Sequence, residues 1–271
     1  MKIKFYIVNY NNDGVLNNMI LKSLFESKFD RDKTEIFIIN NHTNIHVNDE
    51  YKSFVTILNN TLRINESTGH LSRNWNQAMI NGFRSLKSPD CDIVIGCQND
   101  TVIESNWHEI LLENLQQYKY IQQGRGDQFQ VWTPEAVKHI GLYDERFCNI
   151  TFQEYDYFTR AILCYREHSS INDSNHSTVS NPIGTLLIKN TGGSFDYHGS
   201  DEGRKKQKSI HISSTIARDL TSKLYQLKWG CDPVTLLNNG LQNKGPLIDS
   251  YMYYPYFEND IITLDKQRFL R

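Results

Sequence analysis

Within its first hundred residues the chain switches repeatedly between two hydrophobic periods, and this limits the folds open to it. The runs KIKFYIV (2–8), EIFII (35–39), FVTIL (54–58) and DIVIGC (92–97) are short and rich in β-branched or aromatic residues, as strands buried on both faces are. Between them the apolar residues fall at helical spacing: Val15, Leu16, Met19, Ile20 and Leu24 share one face, as do Trp75, Met79, Phe83 and Leu86. Strands alternating with helices predict right-handed crossovers. The expected α/β fold is therefore Rossmann-like, a mostly parallel mixed sheet with helices on both faces.

In such a sheet a ligand binds beyond the carboxyl ends of the strands. Here those ends read Asn9-Tyr10-Asn11-Asn12, Asn40-Asn41-His42-Thr43 and Gln98-Asn99-Asp100, all polar. Further along, the pattern predicts a helix over 105–118, a strand at QFQVW (128–132), helices from Pro134 and over 154–165, a polar loop over 166–181, a strand at TLLIKN (185–190) and a helix over 208–227. The tail from Cys231, with SYMYYPYF at 250–257, has no clear period. No internal repeat or Pro/Gly-rich linker is present. One domain over 1–230 is expected, with 231–271 an extension that packs on it or forms an interface.

Composition narrows the partners. At 271 residues, with 39% hydrophobic and 12% aromatic content, the chain has ample material for a core. A formal charge of −2 gives no electrostatic case for nucleic acid or an anionic membrane surface. The one basic run, Arg204-Lys205-Lys206-Gln207-Lys208, is either a solvated segment or an anion-binding edge. No segment approaches the roughly 20 apolar residues of a membrane span, and the N-terminus does not read as a signal peptide. The five cysteines are odd in number and form no CxxC pair, so they read as reduced. A soluble, cytoplasmic protein is expected, with peripheral membrane association left open.

Three clusters carry chemistry. Asp100 closes a central strand, where a carboxylate serves either as a hard ligand for Mg2+ or Mn2+ or as a turn and cap residue before the helix. His198, in GGSFDYHGSDEGRKKQ (192–207), is either a ligand near a close-approaching backbone or an ordinary loop histidine. In FQEYDYFTR (152–160), Glu154 and Asp156 stand at a helix start, and Arg160 follows Asp156 by one turn. One carboxylate is then free to act as a general base while the other pairs with Arg160, although acidic residues also favour helix N-termini for the macrodipole alone. There is no GxGxxG after a strand, no GxxxxGK[ST] loop and no GxSxG elbow, which excludes an ordinary dehydrogenase, P-loop kinase or serine hydrolase.

In order along residues 3 to 230, the pieces resemble the family-2-type GT-A glycosyltransferases. FYIVNYNN is similar to that family's first strand, FIINNHT to its base-receiving turn, and NDT after VIGCQ to its DxD-type metal motif. WTPEAVKHIGLYDERF (132–147), FQEYDYFTR, YHGS and YQLKWG (225–230) resemble its later landmarks. The resemblance implies that Asp100 holds a divalent ion, Mn2+ or Mg2+, that bridges a donor diphosphate, with His198 on the ion or the diphosphate. It places Asn9, Tyr10, Asn40, Asn41, Arg73, Asn76, Gln98 and Asn99 around the nucleotide-sugar donor, and Glu154 as the catalytic base with Asp156 its neighbour.

The departures from the family pattern bear on specificity. Asn40 stands where Asp is usual, which leaves uridine recognition plausible, with a UDP-sugar favoured, but weakens the choice among UDP, dTDP and GDP. Asp100 is a single carboxylate preceded by Asn99, and Glu154 replaces a shorter Asp. The implied reaction transfers a sugar, with inversion, to a hydroxyl of a glycan or other acceptor. Two alternatives remain: a nucleotidyltransferase of sugar-nucleotide synthesis, and an inert nucleotide-sugar or glycan-binding module.

Overall fold

The computed structural model describes residues 1–10, 12–41, 44–60, 71–116, 118–123, 127–147, 152–165 and 219–233. Its strands are β1 (Ile3–Asn9), β2 (Thr34–Asn40), β3 (Val55–Asn59), β4 (Ile93–Gln98), β5 (Tyr120–Gln123) and β6 (Phe129–Trp132). They form one six-stranded sheet in the order β3-β2-β1-β4-β6-β5. β3, β2, β1 and β4 run parallel, while β6 is antiparallel to both β4 and β5. The sheet is the mixed, mostly parallel one expected. β5 is an addition, since 120–123 carried no strand signal.

The period-2 alternation of β1 sorts its side chains into two cores. Ile3, Phe5 and Ile7 enter a cluster with Leu16, Ile20 and Leu24 on one face, and with Trp107 and Leu111 of α3 (Trp107–Asn114). Tyr6 and Val8 enter the other, with Trp75, Met79 and Phe83 of α2 (Leu71–Phe83). Lys4 also lies inside, and its buried ammonium is satisfied by donating to the Gly82 carbonyl at 3.0 Å with Asp90 at 3.6 Å.

The first helix, α1, runs through Asp13–Val15, Leu16–Leu21 and Lys22–Glu26, and its middle piece is wound as a π-helix. The wider i→i+5 winding shifts the buried face: Leu21 and Asn17 are buried and Met19 is only half-buried, where an even 3.6 period groups Met19 with Leu16. α2 packs so closely on the sheet that a Cβ on Gly82 would lie 2.2 Å from Val94 Cγ2. Gly96 on β4 makes room in the same way, since a Cβ there would lie 2.7 Å from the Trp132 ring and 2.9 Å from Trp75.

Beyond β6, α4 (Pro134–Ile140) starts as its sequence predicts: Thr133 Oγ1 accepts from Ala136 N at 3.1 Å and Pro134 fills the first turn. Gly141 ends it at φ 82°. α5 spans Phe152–Tyr165, and α6, described over 219–229, overlaps the helix expected over 208–227 and runs two residues beyond it. The expected strand at 185–190, His198, the basic run 204–208 and the tail from 234 lie outside the described residues. Among the described residues no helix is long and apolar enough to cross a membrane.

Candidate functional site

β1 lies at the centre of the parallel strands, with β2 on one side and β4 on the other. The crossovers leave β1 in opposite directions, so a crevice opens beyond the carboxyl ends of β1 and β4. Amides line it. Asn99 Nδ2 donates to Asn9 Oδ1 at 2.7 Å, bridging the two strand ends, and Asn9 Nδ2 donates to Asp13 Oδ1 at 3.3 Å. Next door, Asn41 N donates to Asn9 O at 2.9 Å and Asn40 Nδ2 to Asn59 Oδ1 at 3.0 Å. Asn60 Nδ2 donates to Gln77 Oε1 at 2.7 Å and lies 3.2 Å from Asn41 Oδ1. Asn9, Asn40, Asn41 and Asn99 are thus brought together at adjacent strand ends, with Tyr10 half-buried beside them. Asp13, which the sequence reading overlooked, anchors the rim by accepting from His46 N at 2.8 Å.

Asp100 is half-buried in the turn that ends β4, where Thr101 N donates to Gln98 O at 3.3 Å. Among the described residues no three His, Cys, Asp or Glu side chains converge. The donor set near Asp100 is one carboxylate with neighbouring amides, all hard ligands. It fits a Mg2+ or Mn2+ ion that shares its shell with a diphosphate, and does not fit an all-protein cage.

The start of α5 is linked to the end of β4 through Asp127. Gln153 Nε2 donates to Glu154 Oε2 at 3.0 Å and lies 3.3 Å from Asp127 Oδ2. Asp127 is itself buried, and it also accepts from Trp75 Nε1 at 2.6 Å and from Gln98 Nε2 at 2.7 Å. Burial pushes the Asp127 carboxyl up from its ordinary range, and the bonds from Trp75, Gln153 and Gln98 oppose that rise. From sequence, Asp127 in QGRGDQF is an ordinary turn aspartate. Its partners are 26 to 52 residues away in the chain, so no local pattern marks it.

Three expected site residues have different surroundings from those anticipated. Asp156 is completely buried: Arg160 Nε donates to its Oδ2 at 3.1 Å, while Trp229 Nε1 at 2.9 Å and Lys228 Nζ at 2.7 Å meet its Oδ1. The pairing with Arg160 follows the i,i+4 spacing, and with Lys228 and Trp229 it fastens α5 to α6. A carboxylate so enclosed organises the helix and has no access to an acceptor hydroxyl. Asn76, expected to line the donor pocket, spends its amide on Tyr143 O at 2.9 Å, Glu145 Oε1 at 3.0 Å and Tyr143 N at 2.7 Å. Arg73 Nε meets Glu145 Oε2 at 3.3 Å. Both therefore hold the 143–145 segment against α2.

Lys228 reaches a second carboxylate, Asp144 Oδ2, at 3.0 Å, and Arg146 donates to both Asp144 oxygens at 2.8 and 2.5 Å. Burial alone would raise the Asp144 pKa. The bonds and charges of Arg146 and Lys228 outweigh it and hold the carboxyl well below the usual range.

No family model and no curated protein matches the chain. Among solved structures, S. aureus TarS aligns over 100% of this chain and 47% of its own, at 11% identity and a TM-score of 0.50. S. aureus TarS 1–349 in complex with UDP aligns over 59% of this chain and 56% of its own, at 10% identity and a TM-score of 0.42. GalNAc-T7 with UDP, GalNAc and Mn2+ aligns over 60% of this chain and 41% of its own, at 13% identity and a TM-score of 0.46. The chain spans about half the length of the TarS chains it matches in these two alignments. The full-length superposition on TarS shows a shared fold, the Rossmann-like GT-A fold.

Proposed function

We propose that the chain is a metal-dependent, inverting glycosyltransferase that moves a sugar from a nucleoside-diphosphate sugar, UDP-sugar favoured, to a hydroxyl of a glycan or glycoconjugate. The observation that carries this reading is the hydrogen-bonded path from Gln98 through Asp127 and Gln153 to Glu154. It joins the strand end bearing Asp100, a carboxylate suited to a cation, to a carboxylate suited to taking a proton. Asp100 follows β4, the strand beside β1 where the strand order reverses.

In this reading Tyr10, Asn40 and Asn41 frame the base and ribose, and Asn9, Gln98 and Asn99 face the diphosphate. Asp100 would hold Mn2+ or Mg2+ together with His198, and that ion, when bound, neutralises charge developing on the departing diphosphate. Glu154 takes the proton of the acceptor hydroxyl, whose oxygen bonds to the anomeric carbon as the bond to the diphosphate breaks on the opposite face. The domain is taken as 1–230 with 231–271 its extension, working in the cytoplasm.

The test is calorimetry with UDP, dTDP and GDP in the presence of Mn2+, followed by a screen of nucleotide sugars for metal-dependent hydrolysis and transfer. Glu154→Gln should keep donor affinity within about twofold while transfer falls by about 10²–10⁴, the usual contribution of a general base. Normal transfer by that variant refutes the assignment of Glu154. Donor binding without hydrolysis or transfer in the wild type refutes the enzyme reading and leaves an inert binding module.

A further inference from the structure

We propose that Asp127 is a positioning residue that sets the register between the two halves of the site, an inference that rests on the glycosyl-transfer reading above. The Asp127 carboxylate is 1% exposed and is met by three neutral donors from three separate elements, Trp75 on α2, Gln98 at the end of β4 and Gln153 on α5. Two of those elements carry the residues on which transfer depends. Gln98 lies two positions before Asp100, and Gln153 directly precedes Glu154.

The hydrogen-bond arithmetic makes the link directional. The Gln153 amide nitrogen has two hydrogens and lies within reach of two carboxylates, Asp127 Oδ2 at 3.3 Å and Glu154 Oε2 at 3.0 Å. Turning that amide over would aim its carbonyl oxygen at two anions, so the charge on Asp127 fixes which end of Gln153 meets Glu154. Asp127 Oδ2 also accepts from the Trp75 indole at 2.6 Å, which ties the same oxygen to the core under β4. An ion pair in this place would bring a cation beside the proton acceptor and lower its basicity. Three neutral donors hold the geometry without doing so.

Two variants test the inference. Asp127→Asn keeps the shape but removes the charge and one acceptor, and Gln153→Met keeps the length but removes the donor. Each should lower kcat for transfer by about 10- to 100-fold, the scale of a misplacement of about 1 Å, with the donor KM within about twofold. The double variant should be no worse than the poorer single one, because both cut one path. Gln153→Met should also move the Trp75 indole N–H resonance downfield, since Asp127 Oδ2 loses a competing donor, and Asp127→Asn should move it upfield. If Asp127→Asn does not fold, Gln153→Met alone decides.

A kcat within twofold of wild type in the folded variants, losses that multiply in the double variant, or a Trp75 signal unmoved by Gln153→Met overturns the proposal. Wild-type protein that transfers no sugar refutes the functional reading instead. The Trp75 signal, which needs no substrate, then decides whether the Asp127–Gln153 link exists.

Discussion

Replacing Lys228 by Met probes what holds α6 against α5 and the 144–146 turn. The Lys228 side chain is 4% exposed, with Nζ 2.7 Å from Asp156 Oδ1 and 3.0 Å from Asp144 Oδ2. Removing one member of a buried ion pair typically costs 3–5 kcal/mol, because the partner keeps its charge but loses its compensation. Here each carboxylate retains another partner: Asp156 keeps Arg160 and Trp229, and Asp144 keeps Arg146. The cost should therefore fall at the lower end, about 3 kcal/mol. The pH dependence has a definite sign. The folded Asp144 carboxyl titrates below its unfolded value, so its contribution is complete above that value, about 3.9, and is lost as pH falls toward the folded one. Part of that depression comes from Lys228, so the folded Asp144 pKa rises in the variant, and the variant's deficit relative to wild type narrows only as pH falls through that raised value toward the wild-type one. Urea unfolding at pH 7 measures the deficit, and NMR titration of the folded Asp144 carboxyl in wild type and variant measures the shift. A deficit under about 1 kcal/mol at pH 7 refutes the claim that the cluster is desolvated, and a folded Asp144 titration unmoved by the substitution refutes the share of its depression assigned to Lys228.

Two further outcomes follow from the geometry. Gly82→Ala should destabilise the protein by about 1–3 kcal/mol in thermal or urea unfolding, because the 2.2 Å approach of its Cβ to Val94 Cγ2 outweighs the gain in helix propensity; a neutral or stabilising effect would show that α2 lifts off β4 at little cost. Asp100→Ala should weaken Mn2+-dependent UDP binding by at least about 10-fold, with stability within about 1 kcal/mol of wild type, the ordinary size of a single-substitution effect. Unchanged Mn2+ dependence in calorimetry would remove Asp100 from the metal site.

The parallel half of the sheet was legible because buried parallel strands write themselves as continuous apolar runs. The four runs predicted at 2–8, 35–39, 54–58 and 92–97 lie within a residue or two of β1 to β4. β5 was not legible. It is four residues long and ends in Gln122 and Gln123, which are polar by composition yet buried beside β6. The π segment in α1 likewise leaves no mark in a 3.6-residue pattern. At the candidate site, the polar residues gathered at the strand ends could be read locally, whereas residues whose partners lie far along the chain could not. Asp156 and Asn76 carried a family-like spacing, but the groups enclosing them, Trp229, Lys228, Tyr143 and Glu145, are 67 to 73 residues away where a separation is measured, and nothing near them in sequence announces it.

The crevice itself is built of amides where carboxylates would be simpler ligands, and its hydrogen bonding gives a physical reason. A nucleoside diphosphate brings negative charge, and carboxylates at every strand end would repel it unless each were matched by a cation. Asn and Gln side chains carry donor and acceptor together without charge. Without a ligand they satisfy one another, as Asn99 does with Asn9 and Asn40 with Asn59. A ligand that displaces such a bond exchanges one neutral hydrogen bond for another, and a typical net worth of about 1 kcal/mol each keeps the exchange inexpensive. The carboxylates are then few: Asp13 on the rim, Asp100 at the end of β4, Glu154 at the start of α5, and the buried Asp127, held by neutral donors. If the proposed function holds, affinity for the nucleotide is set mainly by amide geometry, and these carboxylates are left to the cation, the proton and the register between them.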